Sequence, residues 1–256
     1  MQTRCPVEPT DRAELVEENR RLRAELERRE REAAAQARQL ELYAADLRET
    51  FKEERERSQQ LSHSYMATVR ALSNAVEARD YYTGKHAERV AAYAIEIARA
   101  LGLARPDDAE IEFGFLLHDI GKVAMPDAIL FKPGELTAEE RALMARHPIV
   151  GAEIMQGIEF LQEAAKVVRS HHERWDGDGY PDGLAGEEIP LTARVFAVAD
   201  VLDALTTDRP YRPRIPLAEA RALIERSAGT HFDPEVVEAF GTVPDALIQR
   251  IHEDVR

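Results

Sequence analysis

Between residues 11 and 57 the chain contains no glycine and no proline, and it is written mostly in Arg, Glu, Ala and Leu. Such a run can hardly form anything but one long helix. A heptad frame fits part of it. Asn19, Leu26, Ala33, Leu40 and Leu47 fall on one seam position, and Leu15, Leu22, Arg29, Gln36 and Tyr43 on the other. The first seam is mostly apolar and the second mixed. Asn19 stands where a buried Asn favours a two-stranded register at some cost in stability. The expectation is a parallel, dimeric coiled coil. The alternatives are a solvated single helix, or a helix packed on its own domain. The frame weakens after Phe51, but Leu61, Tyr65, Val69, Leu72 and Val76 continue a helical stripe. The helix is therefore expected to run into the next domain, with 1–62 as a charged N-terminal helix and 63–256 as the compact part.

Charge is unevenly spread. Residues 1–62 carry 13 Lys/Arg and 15 Asp/Glu of the chain's 34 and 48, which leaves 21 and 33 in residues 63–256, a net −12. A domain this acidic lacks the basic track that long nucleic acid requires. It can still take a small anionic substrate, because bound metals supply positive charge that formal counts omit. Cys5 is the single cysteine, so no intrachain disulfide and no thiolate zinc site is expected, and a reducing cytoplasm fits. The first residues lack the apolar stretch of a signal peptide. With no run of about 18 apolar residues, no membrane span is expected either.

The compact part reads as all-α. `HAERVAAYAIEIARALGL` has helical apolar spacing. `DDAEIEFGFLLHDIGK` reads as a helix stopped by Gly121. `TAEERALMARHP` opens with Thr137 and Glu140 in capping-box relation and is expected to end at Pro148. `EFLQEAAKVVRSHHERW` is a further helix carrying His171 and His172 about 100° apart. `GDGYPDGLAGEEIP` is too rich in Gly and Pro to be anything but a loop. `TARVFAVADVLDALTT` is apolar enough for a central helix, and `LAEARALIERSA` and `DPEVVEAFGTV` close the domain.

Five histidines, His86, His118, His147, His171 and His172, fall among carboxylates and glycine turns. Imidazole and carboxylate together suit first-row divalent metals, and a cluster of them suggests a multinuclear centre, a standard device for cleaving phosphodiesters. Each residue also has a plainer reading. His118 could be a core histidine with one hydrogen bond, but adjacent Asp119 makes burial costly unless something neutralises the pair. His171 and His172 could be a solvent-facing pair. Asp200, on an apolar helix, could be a cap or a buried ion pair, and Asp203 is assigned to that case. His63, His231 and His252 are left as ordinary.

`LLHDIGK`, `KPGELT`, `HHERWDGDGYP`, `VADVLDALT` and `DRPYR`, in that order over about residues 64–243, resemble the HD-GYP proteins, a subgroup of the HD phosphohydrolase superfamily. The resemblance implies an HD-type helical bundle holding divalent metals and hydrolysing cyclic di-GMP. It makes His86, His118, Asp119, His147, His171, His172 and Asp200 the metal ligands, with Asp119 bridging. It places Lys122 on a substrate phosphate, Arg209 and Arg212 as a phosphate-holding pair, and Gly179, Tyr180 and Pro181 in a loop that shapes the guanine pocket. Three-metal members carry a Glu four residues before the first ligand His. Tyr82 stands there, so two ions are expected, iron or manganese at least as readily as zinc.

Under this reading a metal-activated hydroxide opens the ring to linear pGpG, and a second cut to GMP is left open. A phosphodiesterase for another cyclic dinucleotide, or a non-catalytic binding module, are the competing functions. The seven retained ligands argue against the module. The N-terminal helix is expected to join two copies of the chain or to receive a signal from a partner protein.

Overall fold

The computed structural model describes residues 9–79, 85–103, 109–208 and 212–255. Every regular element among them is helical, apart from isolated bridge residues such as the pair Ala228 and Phe232. The chain divides into two units, Met1–Leu61 and Ser62–Arg256. No helix of the described residues is long and apolar enough to cross a membrane.

Helix α1 spans Pro9–Glu77 without interruption. Within the first unit it is held by its own backbone and by surface pairs such as Arg20–Glu17 and Arg29–Glu25, at 3.0 and 2.9 Å. Pairs of this kind contribute only about 0.2–0.5 kcal/mol each. From Arg12 to Leu61 only Glu25 and Ala44 are even partly buried. Leu15, Leu22, Leu26, Leu40, Tyr43 and Leu47, the large apolar members of the two heptad seams, are all 55–66% exposed.

The second unit takes in the last turns of α1 and ten further helices among the described residues: α2 (His86–Ala100), α3 (Ala109–Leu116), α4 (Asp127–Leu130), α5 (Ala138–Met144), α6 (His147–Met155), α7 (Gln162–Ser170), α8 (Leu191–Thr206), α9 (Leu217–Arg226), α10 (Pro234–Thr242) and α11 (Asp245–Asp254). Its centre is α8 packed on α2. Val195, Phe196, Val198 and Leu202 of α8 are fully buried against a cluster that includes Val90, Ala94 and Ile97. Four such side chains contribute roughly 6–12 kcal/mol of gross burial. That offsets the several kcal/mol per ion of desolvating Asp200 and Asp203 on the same helix.

Three helix ends differ from the sequence reading. The helix expected to reach Gly121 stops at Leu116, and His118 and Asp119 lie in the turn beyond it, before a short 3₁₀ segment at Ile120–Ala124. Beyond that turn the backbone meets α6 directly. A β-carbon on Gly121 would lie 1.9 Å from the His147 carbonyl oxygen and 2.6 Å from the Gly151 nitrogen, so a glycine is what lets this segment press against α6. Helix α7 ends at Ser170, so His171 and His172 occupy a turn and not a helical face. Pro148 does not terminate α5, which ends at Met144 with the expected capping box at Thr137 and Glu140. It sits in the first turn of α6, where a missing N–H costs nothing. The sequence reading had no counterpart for α11.

Candidate metal centre

Five separate segments supply the polar side chains at the heart of the second unit. His86 opens α2, His118 and Asp119 follow α3, His147 opens α6, His171 and His172 follow α7, and Asp200 lies within α8. Their ligand atoms form two triads, His86–His118–Asp200 and His147–His171–His172, each with its atoms within 4.8 Å of one another. Asp119 stands between them. Its Oδ2 is 3.1 Å from His118 Nε2, and its Oδ1 is 3.2 Å from His147 Nε2 and 3.9 Å from His171 Nε2.

The backbone orients three of the rings identically. His118 Nδ1 donates to the Phe115 carbonyl at 3.0 Å, His147 Nδ1 to Met144 at 2.8 Å and His171 Nδ1 to Val168 at 2.7 Å. A carbonyl oxygen only accepts, so each Nδ1 carries a proton and each Nε2 is turned inward. His86 is oriented by a carboxylate instead, Asp203 Oδ2 at 2.7 Å from Nδ1, with Asp200 Oδ1 3.3 Å from its Nε2. Asp203 is almost wholly buried and also binds Arg89 through Nε and Nη2, at 2.7 and 3.1 Å. The expected buried ion pair is therefore present, and it does more than satisfy a charge: it aims a candidate ligand.

The loop at 177–184 is organised by a residue the sequence reading passed over. Glu173, buried, accepts the backbone N–H groups of Asp182, Gly183 and Leu184 at 2.7, 3.2 and 3.1 Å. Gly179 lies so close to the preceding turn that a β-carbon there would be 2.4 Å from the Arg174 nitrogen. Tyr180 donates its N–H to the His172 carbonyl at 3.2 Å and stacks its ring on the His172 imidazole at 4.7 Å. The Tyr180–Pro181 peptide is cis. Through Tyr180 the loop braces His172.

Lys122 Nζ is 2.8 Å from Asp119 Oδ2. Arg212 donates Nη2 to the Ala204 carbonyl. Arg209 and Tyr82 lie outside the described residues.

Burial opposes charge throughout the centre, and the partners decide which groups resist it. Asp119 is held well below the usual carboxylate range, because Lys122 and His118 outweigh its desolvation. Asp200 falls to about 2, its burial overcome by the hydrogen bond with His86. Burial, reinforced by neighbouring imidazoles, pushes His171 well down and His172 to about 4. His86 moves the other way, to about 10, because Asp200 and Asp203 outweigh its burial.

The donor set fits divalent cations on one decisive observation. His147 Nε2 and His171 Nε2 lie 3.2 Å apart, and both Nδ1 protons are committed to carbonyls. The two Nε2 atoms thus converge beside a carboxylate oxygen, at a separation that places them on one common point. Such a convergence of buried ring nitrogens is stabilised by a cation.

The sequence pattern that defines the HD domain matches residues 70–236, well over half of the chain. The chain belongs to the HD-domain family.

This HD domain is 45% identical, over 174 residues, to the cyclic di-GMP phosphodiesterase response regulator RpfG of Xanthomonas campestris, covering 67% of the chain and 46% of the relative. It is 42% identical, over 195 residues, to the 3′3′-cGAMP-specific phosphodiesterase 2 of Vibrio cholerae, covering 75% of the chain and 35% of the relative. The chain therefore spans less than half the length of either curated relative. In fold it is similar to an HDG"Y"P protein from Bdellovibrio bacteriovorus, with a TM-score of 0.53, 23% identity, and coverage of 70% of this chain and 63% of that one. The residues of this HD domain that the sequence reading missed, Glu173 and the orienting role of Asp203 with Arg89, had faint signals. Asp203 follows Asp200 by three positions, on the same helical face, and Glu173 directly follows the histidine pair.

Proposed function

We propose that the second unit is a metal-dependent phosphodiesterase of the HD-GYP type that hydrolyses cyclic di-GMP to linear pGpG. The observation that carries this reading is the division of Asp119, one oxygen toward each ligand group. A carboxylate so placed is suited to hold two cations as one unit. Two divalent cations, iron or manganese, would supply a hydroxide nucleophile from water at neutral pH and offset charge on the phosphoryl oxygens.

The protein's own groups do the rest. His86, His118 and Asp200 form one ligand set and His147, His171 and His172 the other, with Asp119 shared. Neutral His171 and His172 present lone pairs at physiological pH without first losing a proton. Lys122 holds a fixed positive charge beside Asp119, where it meets a phosphoryl oxygen as negative charge develops. Arg209 and Arg212, in the segment after α8, are assigned to the other phosphate, and the loop at 179–181, with Tyr180 half-buried over His172, to one edge of the guanine pocket. In the first unit, the exposed Leu15, Leu22, Leu26, Leu40 and Leu47 would be covered by the same helix of a second copy, giving a parallel dimer. A single cysteine and a nucleotide substrate suit the cytoplasm.

The relative specific for 3′3′-cGAMP supports a second reading, in which the hybrid dinucleotide is preferred. Both are tested together. Iron- or manganese-loaded protein is incubated with each cyclic dinucleotide separately, and linear products are separated by ion-exchange chromatography. Faster pGpG formation from cyclic di-GMP is expected. Faster cleavage of 3′3′-cGAMP selects the second reading, and no cleavage of either by metal-loaded protein refutes both.

A further inference from the structure

The final turns of α1, within the second unit, hold the two segments that carry His86 and His118. Glu77 receives the Ala87 N–H on Oε1 at 2.6 Å and the Lys85 N–H on Oε2 at 3.1 Å, so its carboxylate straddles His86. Helix α2 has no side-chain cap of its own, and Lys85 has φ 71°, the single positive value for a non-glycine among the described residues. An L-residue rarely enters that region unless its surroundings hold it there, and among the described residues Glu77 accepts its N–H. One turn earlier, buried Ser73 donates Oγ to the Leu116 carbonyl at 2.7 Å. Leu116 follows Phe115, whose carbonyl orients His118. Ser73 and Glu77 line one cavity with His86, His118 and Asp119. The other triad is braced elsewhere: His147 by Met144, His171 by Val168 and His172 by Tyr180, all beyond α1.

We propose that Ser73 and Glu77 are positioning residues that set metal affinity at His86–His118–Asp200 and leave His147–His171–His172 untouched. This rests on the reading of the two triads as metal sites. A change in the last turns of α1 would then act on one cation of the pair. Asymmetry of this kind turns a helix end into a handle on the centre, because both cations are needed for a shared hydroxide.

The test is a cobalt(II) titration of the full-length, metal-free protein, followed by visible absorption and calorimetry. Wild type is expected to show two steps, and His86→Ala to lose one of them, which assigns it. Glu77→Ala should weaken that same step roughly tenfold, the scale of losing a group that orients a ligand, with the other step unchanged. The unchanged step also shows that the variant is folded. Glu77→Gln, which keeps one carbonyl acceptor, should recover part of the loss. Ser73→Ala should move the same step by less, and a change at exposed Asn74, Asn74→Ala, should move neither. Glu77→Ala shifting both steps together, or neither, overturns the positioning role while the metal reading stands. A wild-type protein that takes up no cobalt overturns the metal reading, and this inference with it.

Discussion

Replacing Asp203 by Ala removes the only carboxylate that both orients His86 and neutralises Arg89 among the contacts described for them, and its consequences can be sized from the structure. The side chains of Arg89 and Asp203 are 8% and 1% exposed, so solvent cannot stand in for the lost partner. Leaving one member of a buried pair uncompensated costs about 3–5 kcal/mol. In a domain of this size each kcal/mol moves the melting temperature by about 2–4 °C, so a fall on the order of 10 °C is expected. Asp203→Asn, which still offers one oxygen to Arg89 or His86, should lose less.

The pH dependence of the metal-free protein carries a second signature. Asp203 titrates below its ordinary 3.8, because His86 and Arg89 outweigh its burial, so its contribution is complete above about 4 and lost in acid. His86, raised from 6.5 to about 10, contributes fully below 6.5 and loses that contribution as pH rises through 10. The stability gap between wild type and Asp203→Ala should therefore be widest between about pH 4 and 6.5 and narrow on either side. Thermal melts across pH read the gap directly, and chelator competition should show metal held about 10–100-fold less tightly. A variant that melts within a degree of wild type and holds metal equally well would refute the assignment of Asp203.

Other consequences are checked independently. Asp119→Ala should abolish hydrolysis and lower bound metal, because one carboxylate serves both triads; full activity in a purified, metal-loaded variant would rule out the bridge. Loading metal near pH 8 should release about one proton, from His86, since burial already holds His171 and His172 neutral there; calorimetry in buffers of different ionisation enthalpy counts it, and a count of zero contradicts the His86 assignment. Deleting residues 1–60 should leave a metal-binding domain and convert a dimer to a monomer; light scattering that finds the full chain monomeric at tens of micromolar would end the coiled-coil reading.

The helical character of the chain and the chemistry of its centre were legible in the residues because both are short-range properties. A run without Gly or Pro makes α1, an apolar stripe makes α2 and α8, and `HD`, `HH` and `GYP` name donors and turns within a few positions of one another. Where helices stop is another matter. Helix α3 stops at Leu116, and Gly121 beyond it sits where the backbone of α6 leaves no room for a β-carbon; nothing in the local sequence announces α6 as its neighbour. The grouping of ligands is similarly non-local. His86 and Asp200 share a triad across more than a hundred residues only because α2 packs on α8. Asp119 divides its oxygens only because the turns after α3 and α7 and the start of α6 converge on it. The amino acids specify which atoms can bind a cation, but a side chain's direction depends on the packing beneath it, so the folded core alone decides which of those atoms meet.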